Sequence, residues 1–270
     1  MLKATLFILA PAFLAGSLLQ AAPLTEAHVT KIVRDVHVID PLKGTHAAAI
    51  NEIIRDEIGL KTGVKSRSEL LFQDNTLTRI GPETSFSFKA GTRHLTLKQG
   101  TMLIQVPKGR GGATIRTAAV TAAITGTTIM VGYTPAKQIK VLVLEGSLRL
   151  SVNGTFGDSV RLQAGRMVTM RPDAKRIPDP VRVDLRRVMQ TSSLVKMAKK
   201  GEPDLPSAGL IDKEIAQQDH ERAKGGLTET NRVVSGFGTN EGFGPQQVLG
   251  IVDQRKRVPT PSRSTFSTRR

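Results

Sequence analysis

Side chains able to do acid–base, nucleophilic or metal chemistry are few in this chain, and their spacing suits none of it. The five histidines (His28, His37, His46, His94 and His220) are scattered. No two stand three or four residues apart, the spacing that puts a metal pair on one helix face. His37 alternates with Val36 and Val38, which points it to solvent from a strand. Without cysteine, neither a disulfide nor a thiolate metal site can form. The sequence has no G-x-S-x-G elbow and no Walker loop. Lys61-Thr62-Gly63, Ser151-Val152-Asn153 and Ser193-Leu194-Val195-Lys196 resemble the three motifs of penicillin-interacting enzymes. They run in the reverse of the order those enzymes use, with Ser193 outside the β-rich region. Asp74, Glu83, Glu145 and Asp158 each stand beside an Asn, Pro or Gly, where turn chemistry accounts for them. The basic loop Pro107-Lys108-Gly109-Arg110-Gly111-Gly112 offers backbone N–H groups to an anion, but a solvated hairpin loop explains it more simply. Asn153-Gly154-Thr155 fits a glycosylation sequon, though Asn-Gly between two strands already makes a turn. The expectation is no catalytic residue, no cofactor and no metal, and no binding residue can be singled out.

Composition limits the partners. The 270 residues carry a formal net charge of +16, with nine Phe, one Tyr and no Trp. So few aromatics make a stacking platform for bases or sugars hard to assemble. Residues 23–172 carry a net +9 and residues 173–270 a net +6, so the charge is not one polybasic arm on a neutral body. A diffuse positive field favours anionic partners without choosing among nucleic acid, lipid headgroups and acidic polymers.

The N-terminus narrows that choice. Met1-Leu2-Lys3 is a short basic start, residues 6–19 are apolar and uncharged, and Ala21-Ala22 precede Pro23. A run of this length suits a signal-peptide core better than a membrane span, which needs about 20 residues. Residues 1–22 therefore read as a signal peptide, removed or kept as an anchor. The body is expected to be periplasmic, in the cell envelope or extracellular, and nucleic acid is not an expected partner.

The elements that would position any site are mostly strands. Residues 32–39 read as a first strand, within a lead-in at 23–44. Residues 47–58 have Ile50, Ile53, Ile54 and Ile58 at helical spacing and predict a short helix, with a loop into a strand as the competing reading. From Ser68 the chain is β-like. Strands are expected at 69–73, 77–80, 84–88, 94–97, 102–106, 114–117, 121–124, 128–133, 139–144, 147–152, 159–162 and 166–170, punctuated by Gly and Asn. In 147–152, Leu148, Leu150 and Val152 should face inward, while Arg149 and Ser151 face out. Gly126 and Gly146 are the expected fixed points, where the backbone must turn or pass close. Residues 173–182 read as a linker. A helix is expected over 184–200 with Asp184 at its start, and a second over about 207–224, ending at Gly225-Gly226. Residues 227–270 are rich in Gly, Ser, Thr, Pro and Arg and read as a largely disordered basic tail. Within it, residues 248–252 form an apolar island. The fold class is all-β: a sandwich- or solenoid-like domain of short strands, then one or two helices and the tail.

The order of motifs over residues 45–172 resembles the FecR domain. It is carried by Ile58-Gly59-Leu60-Lys61-Thr62-Gly63, Ser66 to Thr76, Ile80-Gly81-Pro82-Glu83-Thr84 and the strand pair around Gly100. Ala122 to Val131, Val141 to Leu150 and Leu162-Gln163-Ala164-Gly165-Arg166 close the series. The resemblance implies a β-rich, non-enzymatic extracytoplasmic module, which in regulators relays a signal from an outer-membrane receptor to a sigma factor. Such regulators carry a cytoplasmic segment before their membrane helix. Here only Met1 to Thr5 precede the apolar run, so direct anti-sigma activity is not expected. The leading expectation is a module that binds another envelope protein. The alternative is binding of an acidic cell-wall or surface polysaccharide through distributed Lys and Arg.

Overall fold

A computed structural model describes residues 22–56, 58–155, 157–198, 201 and 203–225, together with the backbone of 227–234 and 248–253. The signal-peptide reading falls on residues that lie almost wholly outside this set. In chain order the first strands are β1 (Ala27–Val33), β2 (Val36–Asp40), β3 (Gly44–Ala47), β4 (Ile53–Ile54), β5 (Gly59–Thr62), β6 (Arg67–Phe72), β7 (Leu77–Ile80) and β8 (Ser85–Lys89). β9 (His94–Gln105), β10 (Gly112–Arg116), β11 (Val120–Thr125), β12 (Thr128–Thr134), β13 (Gln138–Glu145), β14 (Ser147–Val152), β15 (Ser159–Gln163), β16 (Arg166–Met170) and β17 (Val181–Val183) follow. After them come helices α1 (Leu185–Thr191) and α2 (Ala208–Ala223), then β18 (Leu227–Val234) and β19 (Val248–Asp253).

The strands form two sheets that share β9. Sheet I runs β4-β1-β6-β7-β9-β12-β13-β16-β17-β19-β18. Sheet II runs β3-β2-β5-β8-β9-β10-β11-β14-β15, with β9 and β10 parallel and every other pair antiparallel. The chain changes sheet at corners. β13 pairs with β12 and β16, whereas β14, one residue further on, pairs with β11 and β15. Gly146 makes that crossing with φ +81°, a conformation in which an L side chain is strained. A Cβ there would sit 3.0 Å from the Gly126 carbonyl oxygen and 3.1 Å from Thr127 Oγ1. Gly126, with φ +58°, and Gly165, with φ +71°, make the neighbouring crossings from β11 to β12 and from β15 to β16.

The main core lies between the sheets, and a second apolar cluster lies on the outer face of sheet I. β13 shows the division residue by residue: Ile139, Val141 and Val143 enter the main core, while Leu142 and Leu144 enter the second cluster. A strand buried on both faces has no reason to alternate, hence the continuous run Val141-Leu142-Val143-Leu144. β14 has one wet face and does alternate: Leu148, Leu150 and Val152 are buried, Arg149 is exposed and Ser151 half-buried.

Helices α1 and α2 complete the second cluster with Leu185, Val188, Ile211 and Ile215. They are pinned by polar contacts that begin in the sheet. Arg79, on β7, donates from Nε to Glu69 Oε2 at 2.7 Å and from Nη1 to the carbonyls of Leu194 and Val195 at 2.9 and 2.5 Å. Ser207 joins Thr128 through their hydroxyls at 2.8 Å. The stretch from Leu185 to Gln218 therefore packs as a third layer on sheet I.

Several sequence expectations need correction. The single strand over 32–39 is two, because Arg34 has φ +61° and the chain passes from sheet I to sheet II there. No helix forms over the described part of 47–58. Asn51 has φ +66° and donates its N–H to the Val29 carbonyl, and Ile54 pairs with Ala27 in β4. The strands at 94–97 and 102–106 are one strand, β9, which bends between sheets at Gly100 with φ +94°. The helix over 184–200 stops at Thr191. Ser192 is extended, and Arg79 takes the carbonyls of Leu194 and Val195 that a longer helix would use for its own bonds. Asp184 does cap it, accepting from the Arg187 N–H at 3.2 Å. The second helix, expected over about 207–224, forms over Ala208–Ala223. Within the tail read as disordered, β18 and β19 pair, and β19 joins β17 at the apolar island. Residues 235–247 and 254–270 lie outside the described residues.

Candidate functional site

A cleft of about 540 Å³ lies where the glycine corners meet helix α2. Gly126, Gly146 and Gly165 form its floor, Lys108, Arg161 and Arg182 stand on its walls, and α2 contributes Glu214, Gln218 and Glu221. Its charges are largely matched. Lys108 Nζ lies 3.0 Å from the buried carboxylate of Glu145, and Arg182 is ion-paired with Glu221. Burial pushes the Glu214 carboxyl up from its ordinary range; Glu145 adds to that rise and Lys108 opposes it. Gln218 is committed to structure, accepting from the Leu185 N–H and donating to the Val183 carbonyl. Glu214 and Glu221 both come from α2.

The edge of sheet II is different in kind. Four of the six large apolar side chains exposed among the described residues fall between residues 39 and 64: Ile39, Leu42, Ile50 and Val64. Leu42 is 95 % exposed at the tip of the β2–β3 hairpin. Asp40 fixes that tip, its Oδ1 accepting from the N–H groups of Leu42 at 2.8 Å and Lys43 at 3.1 Å. Those two bonds hold the Asp40 carboxyl below its ordinary range. Among the described residues strand β3 pairs only with β2, which leaves its outer backbone edge open to a further strand. A rigid turn presenting a leucine beside a free strand edge is suited to protein contact.

The residues considered from sequence fall as follows. Thr62 is buried, with Oγ1 donating to the Gly81 carbonyl at 2.5 Å, and Ser151 lies on β14. Four strand positions of sheet II separate β5 from β14, and Ser193 lies beyond sheet I, so the three short motifs are not brought together. The Asn153 amide donates to the Thr117 carbonyl at 3.0 Å and accepts from Thr121 Oγ1 at 2.7 Å, as its turn role requires. His37 lies beside Asp35 and His46 beside Glu52 at the surface. No group of three or more potential metal ligands occurs among the described residues. The loop 107–112 contributes Lys108 to the cleft. Sequence reasoning assigned no binding residue and so passed over Leu42; the available signal was an apolar side chain inside the turn Asp40-Pro41-Leu42-Lys43-Gly44. Lys140 was equally inconspicuous, yet it is 2 % exposed on β13, and burial lowers its pKa to about 8.

Two crystal structures of an anti-sigma factor candidate from Parabacteroides distasonis ATCC 8503 are similar to parts of this chain. One, at 14% identity and TM-score 0.42, covers 48% of this chain, which spans 62% of that protein's length. The other, at 13% identity and TM-score 0.43, covers 72% of this chain and 84% of that one. No curated protein matches the chain. Residues 59–149, from the start of β5 to the middle of β14, match the family model described as FecR protein, the family that the ordered motifs resemble.

Proposed function

We propose that this chain is an exported, non-enzymatic interaction module whose β domain binds another protein of the cell envelope, in a signalling or structural role. The exposed edge of sheet II carries the reading: Leu42 at a fixed hairpin tip, Ile39 and Ile50 nearby in sequence, and an open strand edge at β3. Isolated exposed apolar residues are ordinary, but a leucine fixed at a hairpin tip beside a strand edge is what a docking surface can use. The FecR match supports a regulatory role, and the sequence of residues 1–22 supports export. The test is capture from envelope extract at physiological salt with the native chain and with a Leu42→Asp/Ile50→Asp variant. A protein retained by the first and lost with the second is the expected result. Capture indifferent to the two substitutions, or no capture at all, refutes the reading.

A further inference from the structure

We propose that the outer face of sheet II is a binding surface for an acidic polysaccharide. Strand register assembles this face from residues far apart in sequence. Lys89, His94, Thr114, Ala123, Arg149 and Arg161 lie opposite one another in turn across six neighbouring strands, β8 to β15. At about 4.8 Å between strands this row is about 24 Å long. The adjacent row places Arg116 among Ser and Thr residues, and Lys61 and Lys98 project from the same sheet.

The charge on this face is segregated. Among all the residues of sheet II's strands there is one acid, Asp40, at the far edge and bound to its own hairpin. Lys61, Lys89, Lys98, Arg116, Arg149 and Arg161 are exposed, and among the described residues none has a carboxylate within ion-pair distance. Arg149 and Arg161 instead reach the hydroxyls of Ser159 and Ser147 at 3.1–3.3 Å. Several cations elsewhere do have a carboxylate partner: Arg79 with Glu69, Arg93 with Asp74, Lys108 with Glu145, Arg222 with Asp184. Arg149 directly opposite Arg161 is a like-charge pair that weakens the sheet locally, and nothing in the fold requires it. An anion lying along the row would remove that repulsion.

The side chains around the cations choose the partner. Phe86 and Phe88 point into the core, so His94 is the one ring in the row and neither a base nor a sugar finds a stacking platform there; recognition would rest on charge and on hydroxyl contacts. From β8 to β15 the outward positions between the cations are Ser, Thr, Gln and Ala, with no large apolar side chain among them to insert into a lipid surface; exposed Ile39 lies on β2, beyond Lys61. Hydroxyls interleaved with Lys and Arg suit a polymer that carries both hydroxyls and acidic groups. The Leu42 edge is a separate surface, and a glycan on this face leaves it open.

The experiment measures binding of the full chain to polygalacturonate and to dextran sulfate at physiological salt, with neutral dextran as control. One variant replaces Lys61, Lys89, Arg116, Arg149 and Arg161 by Gln. A second replaces five exposed lysines off the face, Lys43, Lys137, Lys175, Lys213 and Lys224, so both lose the same charge and both retain residues 227–270. The face variant is expected to lose about tenfold or more in affinity, and the off-face variant much less. Equal losses, no binding to either acidic polymer, or tighter binding to anionic vesicles or single-stranded DNA overturns the proposal. Should the face variant not fold, Arg149→Gln with Arg161→Gln alone repeats the comparison, since it removes a repulsion.

Discussion

Replacing Lys140 by Met should stabilise the protein at neutral pH, and the gain should fade in a defined alkaline window. Lys140 lies on β13 between Gly132 of β12 and Thr169 of β16, is 2 % exposed, and carries a pKa lowered from 10.5 to about 8 by burial. A depression of this size corresponds to about 3 kcal/mol of differential interaction between charged and neutral forms. Below pH 8 the folded and unfolded chains both hold the proton, so the cost of keeping the ammonium in the fold is fully present. Between pH 8 and 10.5 the unfolded chain still binds a proton that the folded chain has lost, so stability rises with pH by up to about 1.4 kcal/mol per unit. Above 10.5 both forms are neutral and the cost is gone. Methionine is similar in length and carries no charge, so at pH 7 the variant should be more stable by about 1–3 kcal/mol, the lower figure allowing for the interaction that Lys140 makes in the fold. Urea titrations of parent and variant at pH 7, 8, 9 and 10 measure this. A difference between the two proteins that stays constant from pH 8 to 10, or a variant less stable than its parent at pH 7, would show that the fold compensates the ammonium and that burial does not govern it.

Two further substitutions test the corner and the third layer. Gly146→Ala places a Cβ 3.0 Å from the Gly126 carbonyl oxygen at φ +81°, and should lower stability by about 1 kcal/mol or more; an unchanged melting temperature contradicts the strain argument. Arg79→Ala leaves Glu69, 4 % exposed, without its closest cation and frees the carbonyls of Leu194 and Val195, for a loss of about 3–5 kcal/mol by chemical denaturation. Loss below about 1 kcal/mol would mean that the Leu194–Val195 segment is held by apolar packing alone.

Local features were legible from sequence wherever local chemistry decides them. β7, β14 and β16 occupy the residues their patterns and flanking glycines indicated, and the positive φ of Gly126 and Gly146 follows from their place between strands. Decisions made by distant residues were not legible. Gly100 permits a reversal or a bend, and the bend exists because β7 and β12 pair with the second half of β9 while β8 and β10 pair with the first. The isoleucines at 50, 53, 54 and 58 share helical spacing, but Ile54 is claimed by β1 and Ile50 by solvent. The predicted helix over 184–200 is cut short by Arg79, more than a hundred residues earlier. The site was the least legible part. Alternation shows which side of a strand Arg149 and Arg161 leave from, but only the register shows that they stand opposite each other, on a sheet whose strands carry a single acid at the far edge.

The third layer also decides which surfaces remain for partners. The outer face of sheet I carries Leu103, Met130, Leu142 and Leu144, an apolar surface that would itself invite docking were it open. The residues from Leu185 to Ile215 cover it, and Arg79, Gln105 and Thr128 supply polar contacts that fix the cover in register. The FecR match ends at residue 149, before any of this covering begins, so the matched stretch alone would expose that surface. Among the described residues, the basic outer face of sheet II and the Leu42 edge at its end stay open. One is polar and cationic, the other apolar with a free strand edge, so the two attract different chemistry and can be occupied together. On the two proposals made above, a single chain would hold an acidic polymer on its face while its edge engages a protein.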